Sequence, residues 1–321
     1  MLLSKIYEPI REDLVKVEDS LRTISKVDFP RLSEMLDYSL SVSGKSIRPA
    51  LTLLSGRFYD YNLDYLKPMA VAVELMHMAT LVHDDAIDKS LVRRGKPTIN
   101  SIWGGEKAIL LGDYLFARAG EFANDTQNLQ VERLFTQTLG TISNGELRQS
   151  FGAFNLEQTR EGYLQRISYK TASLFSLATE SGAILSQAPE KSIQNLKDYG
   201  YNLGIAFQIV DDILDFIGTE EEMGKPIGSD LAQGILTLPS MLLLERYPED
   251  NPVRRLFHNE DKEGNIGLAI EMVRNSSIVA ECYGVASDYC VRACRNLNLL
   301  PDNDSRQALI RLTDYITKRK R

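Results

Sequence analysis

The sequence predicts an all-α protein folded as one domain over residues 1–321. Three observations carry that prediction. Apolar residues recur at helical spacing almost from end to end. Alternating strand-like runs joined by Asn-Gly or Asp-Gly turns are missing. No linker, composition break or repeat of solenoid period divides the chain.

The first three expected helices are Tyr7–Thr23, Arg31–Ser41 and Pro49–Phe58. The third opens on a proline, whose missing N–H costs little in a first turn. Pro68 is placed the same way at the head of Pro68–Lys89, a long helix apolar on most sides. Lys107–Ala123, Val131–Gln149 and Glu161–Ser186 follow, then Ser192–Ile217, again long and largely apolar. A helix apolar nearly all round belongs inside a bundle. Pro68–Lys89 and Ser192–Ile217 are therefore expected at the centre, facing one another. Leu238–Arg246, Ile266–Arg274, Ser276–Leu297 and Ser305–Lys318 complete the set. The loops Ser90–Gly105 and Gly218–Gly234 are expected at one mouth.

Composition is that of an ordinary globular protein, 43% hydrophobic and 25% charged. A net charge of −7 and a pI near 5.2 argue against nucleic acid as the main partner. Cys282, Cys290 and Cys294 form neither a disulfide framework nor a zinc spacing. The start, MLLSKIYEPIREDL, lacks the apolar stretch of a signal peptide. Met69–Val82 is the most apolar run, but Glu74 and His77 interrupt it and it is too short to span a bilayer. A cytoplasmic protein with at most peripheral membrane contact is expected.

Two DDxxD clusters carry the chemistry: Asp84-Asp85-Ala-Ile-Asp88 and Asp211-Asp212-Ile-Leu-Asp215. Within each, the first and last aspartates are four apart and share a helix face. Like charges at that spacing cost about 0.2–0.5 kcal/mol per pair, more when flanking apolar residues bury them. A bound divalent cation reverses that sign. Hard oxygen ligands without clustered Cys or His suit Mg²⁺, or Mn²⁺, completed by phosphate oxygens and water. The duplication reads as two jaws closing on a polyphosphate.

Basic residues surround both jaws. Lys45 and Arg48 stand in GKSIRP at a helix entrance, where backbone N–H groups favour an anion. His77 shares the helix of the first cluster. Arg93 and Arg94 follow that cluster, and their guanidinium forks suit phosphate oxygens. Lys170 and Thr171 interrupt an apolar helical pattern. Gln208 precedes the second cluster, with Lys225 and Asp230 in the loop beyond it. Two phosphate sites are implied. One is metal-bridged between the clusters; the other is metal-free and built from Lys45, Arg48, His77 and Arg94. No Ser-His-Asp order, activated Cys or GxxxxGK[ST] loop is present. The expected chemistry is ionisation of one diphosphate and capture by a second.

The segments GKSIRP, ELMHMATLVHDDAIDKSLVRRGKPTIN, YKTASLF, AFQIVDDILDF and GKPIGSDL…TLP occur in that order. They resemble the trans (E-type) isoprenyl diphosphate synthases, the polyprenyl synthetase family. The resemblance implies an isoprenoid-synthase-type helical bundle around a deep central cavity, usually homodimeric. It implies Mg²⁺-dependent head-to-tail condensation of isopentenyl diphosphate with an allylic diphosphate (dimethylallyl, geranyl, farnesyl or geranylgeranyl). By position, Asp84, Asp88 and Asp211 would bind metal directly, with Asp85, Asp212 and Asp215 assisting. Arg93, Lys170, Thr171, Gln208 and Lys225 would hold the allylic substrate. Lys45, Arg48, His77 and Arg94 would hold isopentenyl diphosphate. One departure stands out: Ile235 occupies the place of a common family lysine and cannot pair with diphosphate.

Product length is expected from the turn before Asp84. Ala79 and Thr80 are small where short-chain members carry an aromatic floor, and Met76 and Val73 line the next turn. One helical turn spans about 5.4 Å, close to one isoprene unit. A medium or long product is therefore expected, heptaprenyl to nonaprenyl. Leu139, Ile142 and Phe116 could supply a floor from another helix, which would give geranylgeranyl or farnesyl diphosphate. A class I terpene cyclase would lack the second aspartate cluster, so DDILD argues against one. Non-catalytic subunits of heteromeric synthases lose their aspartates. This chain keeps all six, and could still be the catalytic half of a heterodimer.

Overall fold

The computed structural model describes residues 3–42, 44–219 and 226–319. Its main helices are α1 Arg11–Thr23, α2 Pro30–Ser41, α3 Ile47–Gly56, α4 Leu63–Ile87, α5 Gly105–Asn124, α6 Leu129–Phe151, α7 Arg160–Ile167 and α8 Ser173–Leu185. They continue with α9 Glu190–Ile217, α10 Leu238–Arg246, α11 Pro252–Phe257, α12 Lys262–Arg274, α13 Ile278–Leu297 and α14 Asp304–Lys318. The all-α class holds, and every expected helix is present. Asparagine side chains at positions 62, 128, 251 and 303 cap four of them by accepting first-turn N–H bonds.

Four details differ from the sequence reading. α4 begins five residues before Pro68, capped by Asn62, so the proline lies inside the helix rather than at its head. The short helix α11 has no long periodic stretch to announce it. The single expected helix Glu161–Ser186 is divided by a wide π-type turn at Ser168–Ala172. The basic loop after α4 holds a minimal hairpin, β1 Val92–Arg93 paired antiparallel with β2 Lys96–Pro97. Its turn is Arg94-Gly95, both left-handed at φ 52° and 73°. That geometry is normally filled by Asn-Gly, so an arginine there disguises the turn.

α4 and α9 are central, as their apolar character predicts, but α8 packs against both and joins them. The reason is side-chain size. α8 reads SLFSLATESGAIL, and its small residues allow close approach. A Cβ at Gly182 would meet the Thr52 carbonyl of the neighbouring α3 at 2.3 Å, and one at Gly200 of α9 would meet the Phe175 carbonyl of α8 at 2.6 Å. No helix among the described residues is long and apolar enough to cross a membrane.

Candidate active site

Both acidic clusters sit in the final turns of their helices, α4 and α9. A helix C-terminus already carries negative potential. Six carboxylates there are an electrostatic cost that cations and hydrogen-bond donors offset, and the surroundings supply both.

In the first cluster, Arg93 Nε donates to both oxygens of Asp85, at 2.9 and 2.8 Å. Lys170 Nζ lies 3.4 Å from Asp84 Oδ2. Asp88 is exposed, and its carboxylate makes no hydrogen bond or ion pair among the described residues. Burial raises the affinity of Asp85 and Asp88 for a proton, opposed by Arg93 and Lys170 respectively.

The second cluster is built differently. Asp212 is buried and accepts from Tyr163 Oη at 2.6 Å and Gln208 Nε2 at 2.8 Å. Asp215 accepts from Ser229 Oγ at 2.9 Å and from the Asp230 N–H at 3.2 Å, which anchors the loop after the cluster. Asp211 is half-exposed and paired with Arg319, whose Nη2 donates at 2.7 Å. Burial, then the nearby charges of Asp230 and Asp211, push the Asp212 carboxyl up to about 7 against its two donors.

Lys170 and Thr171 link the jaws. Lys170 reaches Asp84, while Thr171 Oγ1 donates to Gln208 Oε1 at 2.6 Å, and Gln208 in turn holds Asp212. The wide turn makes this possible by displacing both side chains from regular helical register. Asp230, in the loop after α9, adds to the negative field at Asp88, and Asp211 acts on Arg93.

Of the residues expected to form the metal-free anion site, His77 and Arg94 line a cleft of about 570 Å³, counting its open mouth, together with Arg93, Gly44 and Glu74, whereas Lys45 and Arg48 are not among its lining residues. Arg94 Nη1 donates to the Val42 carbonyl at 2.8 Å. A Cβ at Gly44 would meet that guanidinium at 2.7 Å, so the glycine of GKSIRP makes room for Arg94. Arg48 is buried over the Phe175 ring at 5.0 Å, and its Nε has no hydrogen-bond partner. Burial pushes it down to about 10, with Glu74 opposing, so it remains charged at neutral pH. Lys45 Nζ lies 5.4 Å from the centre of the Tyr315 ring. His77 was expected among the cations. Burial, then Arg48 and Arg94, hold its imidazole neutral.

On the proposed product side, Ala79 and Met76 are fully buried and Thr80 is half-buried. His83 lies beside them. Its ring sits in a notch at Gly112 of α5 and meets Phe116 edge-on at 5.4 Å. Ile235, in the place of the common lysine, gives its backbone N–H to the Asp230 carbonyl at 2.9 Å. Lys225 lies outside the described residues.

Five contributors escaped the sequence reading: Glu74, Glu146, Tyr163, Ser229 and Arg319. Glu74 left the clearest trace, as a carboxylate inside the most apolar helix. Glu146 and Tyr163 sit among many polar neighbours, so nothing in the pattern marks them.

The carboxylates suit a hard divalent ion. Asp212 and Asp215 spend their oxygens on protein donors. Asp84 and Asp211 instead meet cationic side chains, and Asp88 is open. Among the described residues no three such ligands converge on one point.

Comparison with known proteins agrees. The profile described as polyprenyl synthetase matches residues 29–273. The chain is 38% identical to heptaprenyl diphosphate synthase component 2 of Bacillus subtilis, over all of this chain and 92% of that one. The crystal structure of heptaprenyl diphosphate synthase from Staphylococcus aureus superposes with a TM-score of 0.93 at 37% identity, covering 97% of this chain and 99% of that one. A Caulobacter crescentus polyprenyl synthase, crystallised with calcium and isoprenyl diphosphate, gives 0.95 at 32% identity, covering 100% and 98%. The chain therefore belongs to the polyprenyl synthetase family of trans-isoprenyl diphosphate synthases and is a prenyltransferase.

Proposed function

We infer that the protein makes a medium- to long-chain all-trans polyprenyl diphosphate, heptaprenyl to nonaprenyl, by adding isopentenyl diphosphate to an allylic primer. The observation that carries this reading is the Lys170-Thr171 link between the two jaws, with a cleft nearby to which Arg93 and Arg94 contribute. Asp84, Asp88 and Asp211 hold Mg²⁺, with Asp85, Asp212 and Asp215 positioning them. When bound, Mg²⁺ neutralises charge developing on the departing diphosphate. Arg93, Lys170, Thr171 and Gln208 orient the allylic diphosphate, and Lys225 is assigned the same role. Lys45, Arg48, Arg94 and neutral His77 hold isopentenyl diphosphate, whose double bond attacks the allylic cation; the proton then lost passes to the released diphosphate. Ala79, Thr80 and Met76, small or flexible, let the product grow past the turn of α4 that precedes Asp84.

The functional unit is a homodimer in the cytoplasm, its product passing to a membrane by peripheral contact. Leu110 of α5 and Leu147 and Phe151 of α6 are each exposed, Phe151 at 88%. Exposed large apolar side chains of that kind favour a second copy of the chain. A heterodimer is the second reading, because the Bacillus subtilis relative is named as a component.

The test incubates pure protein with Mg²⁺, labelled isopentenyl diphosphate and farnesyl diphosphate and resolves the products, with mass measured in solution. Elongation by a dimer to heptaprenyl or beyond is expected. No elongation without added protein partners would sink the homodimer and leave the heterodimer. A geranylgeranyl limit would sink the assigned length.

A further inference from the structure

Lys170 has two claimants. Its Nζ lies 2.8 and 3.0 Å from the two oxygens of Glu146 on α6, and 3.4 Å from Asp84 Oδ2. Side chains of all three are largely buried. A buried lysine beside one carboxylate forms a tight pair, and that pair would compete with a metal for Asp84. A second carboxylate on the far side draws the ammonium away.

The backbone supports the same arrangement. Gly145, immediately before Glu146, lies against the wide turn that carries Lys170. A Cβ there would meet Tyr169 Cβ at 2.9 Å and the Lys170 amide nitrogen at 3.2 Å. On the other side of the turn, a Cβ at Gly204 of α9 would meet Ala172 Cα at 2.5 Å. The turn is thus clamped between two glycines, and Glu146 fixes the end of the side chain it presents.

We propose that Glu146 is a positioning residue that draws Lys170 partly away from Asp84, loosening their ion pair so that Asp84 stays available to the metal and Lys170 stays aimed at the incoming allylic diphosphate. It acts through Lys170 and is not assigned a substrate contact. The proposal rests on the reading above of Asp84 as metal ligand and Lys170 as diphosphate ligand.

The probe is Mn²⁺, titrated into the whole protein and followed by its own spin signal, so no turnover is needed. Glu146→Ala should weaken Mn²⁺ binding by about tenfold, the usual size for loss of a ligand's supporting partner. Glu146→Gln retains an acceptor for Nζ and should recover most of that loss. In a Lys170→Ala background, Glu146→Ala should cost less than about twofold, because the lysine it restrains is gone. In turnover, Glu146→Ala should raise KM for the allylic substrate and leave KM for isopentenyl diphosphate unchanged. Equal losses of Mn²⁺ affinity in both backgrounds would overturn the proposal, as would wild-type affinity in Glu146→Ala. If Glu146→Ala does not fold, the same comparison is made with Glu146→Gln, expected to show about a twofold loss that vanishes without Lys170. Wild-type protein that binds Mn²⁺ but elongates nothing on its own would sink the homodimer reading while leaving this cycle readable.

Discussion

Among the described residues, Asp84 and Asp85 of the first DDxxD cluster meet cations, whereas Asp212 and Asp215 of the second are held by neutral donors. Arg93 holds Asp85 and Lys170 approaches Asp84, while Asp88 stands open. In the second cluster Tyr163 and Gln208 hold Asp212, and Ser229 and the Asp230 N–H hold Asp215. Among the described residues Asp211 faces a cation, Arg319. Ion pairs between long side chains rearrange when a stronger charge arrives, whereas buried neutral bonds fix geometry. The same five-residue motif thus serves as a responsive jaw on α4 and as a largely fixed one on α9.

The strongest test of that contrast removes metal ligands from each side. Asp84→Ala and Asp211→Ala should each lower kcat by roughly 10³-fold, the several kcal/mol a Lewis acid supplies. Melting should change little for Asp84→Ala, since the substitution also removes like-charge repulsion from a helix end. A variant retaining a tenth of wild-type turnover would exclude its aspartate as a ligand.

The product side of the first cluster is tested next. Ala79→Phe should shorten the product, and should cost about 1–3 kcal/mol because Ala79 is fully buried. Thr80→Phe, at a half-buried position, should shorten it with less loss of stability. An unchanged product ladder in both variants would move the floor to Phe116, Leu139 or Ile142.

The pH response should separate the clusters as well. Asp212 is raised to about 7 in the folded chain, from an ordinary value near 3.8 when unfolded. A raised carboxyl binds its proton more tightly when folded. The resulting stability is complete below the unfolded value and is lost as pH rises through about 7. Metal-free protein should therefore lose about 2 kcal/mol between pH 5.5 and 8 from this group. Thermal melts should show that fall, and Asp212→Asn should flatten it. An equally steep fall in Asp212→Asn would show that another group is responsible.

The smallest expected effect concerns Arg319, 6% exposed and stacked on Phe207 at 3.9 Å. Arg319→Ala should free Asp211 and lower the Mg²⁺ needed for half-maximal activity by about threefold, the value of a partly exposed ion pair. An increased Mg²⁺ requirement would mean that Arg319 supports the site rather than competing for it.

Much of the site was legible because it is local. A DDxxD on a helical pattern declares its own geometry, since residues four apart share a face whatever surrounds them. GKSIRP was legible as a cationic helix entrance, Arg93-Arg94 as a basic pair directly after the first cluster, and Lys170-Thr171 as polar residues within an apolar helical pattern. The expectation that α4 and α9 face one another missed the intervening α8, because periodicity shows that a helix is buried and not what buries it. Arg94 was read as a cation, but its left-handed turn was not, since Asn or Gly usually marks that conformation.

The sequence by itself determined the helical class, the two carboxylate clusters and the basic residues beside them. Each is written in spacing along one chain segment. Only the tertiary structure decided which carboxylate meets which partner. Glu146 beside Lys170, Tyr163 against Asp212 and Arg319 over Asp211 join residues far apart in the chain. Such pairings depend on how helices pack, and packing is set by the sizes of side chains on several helices at once.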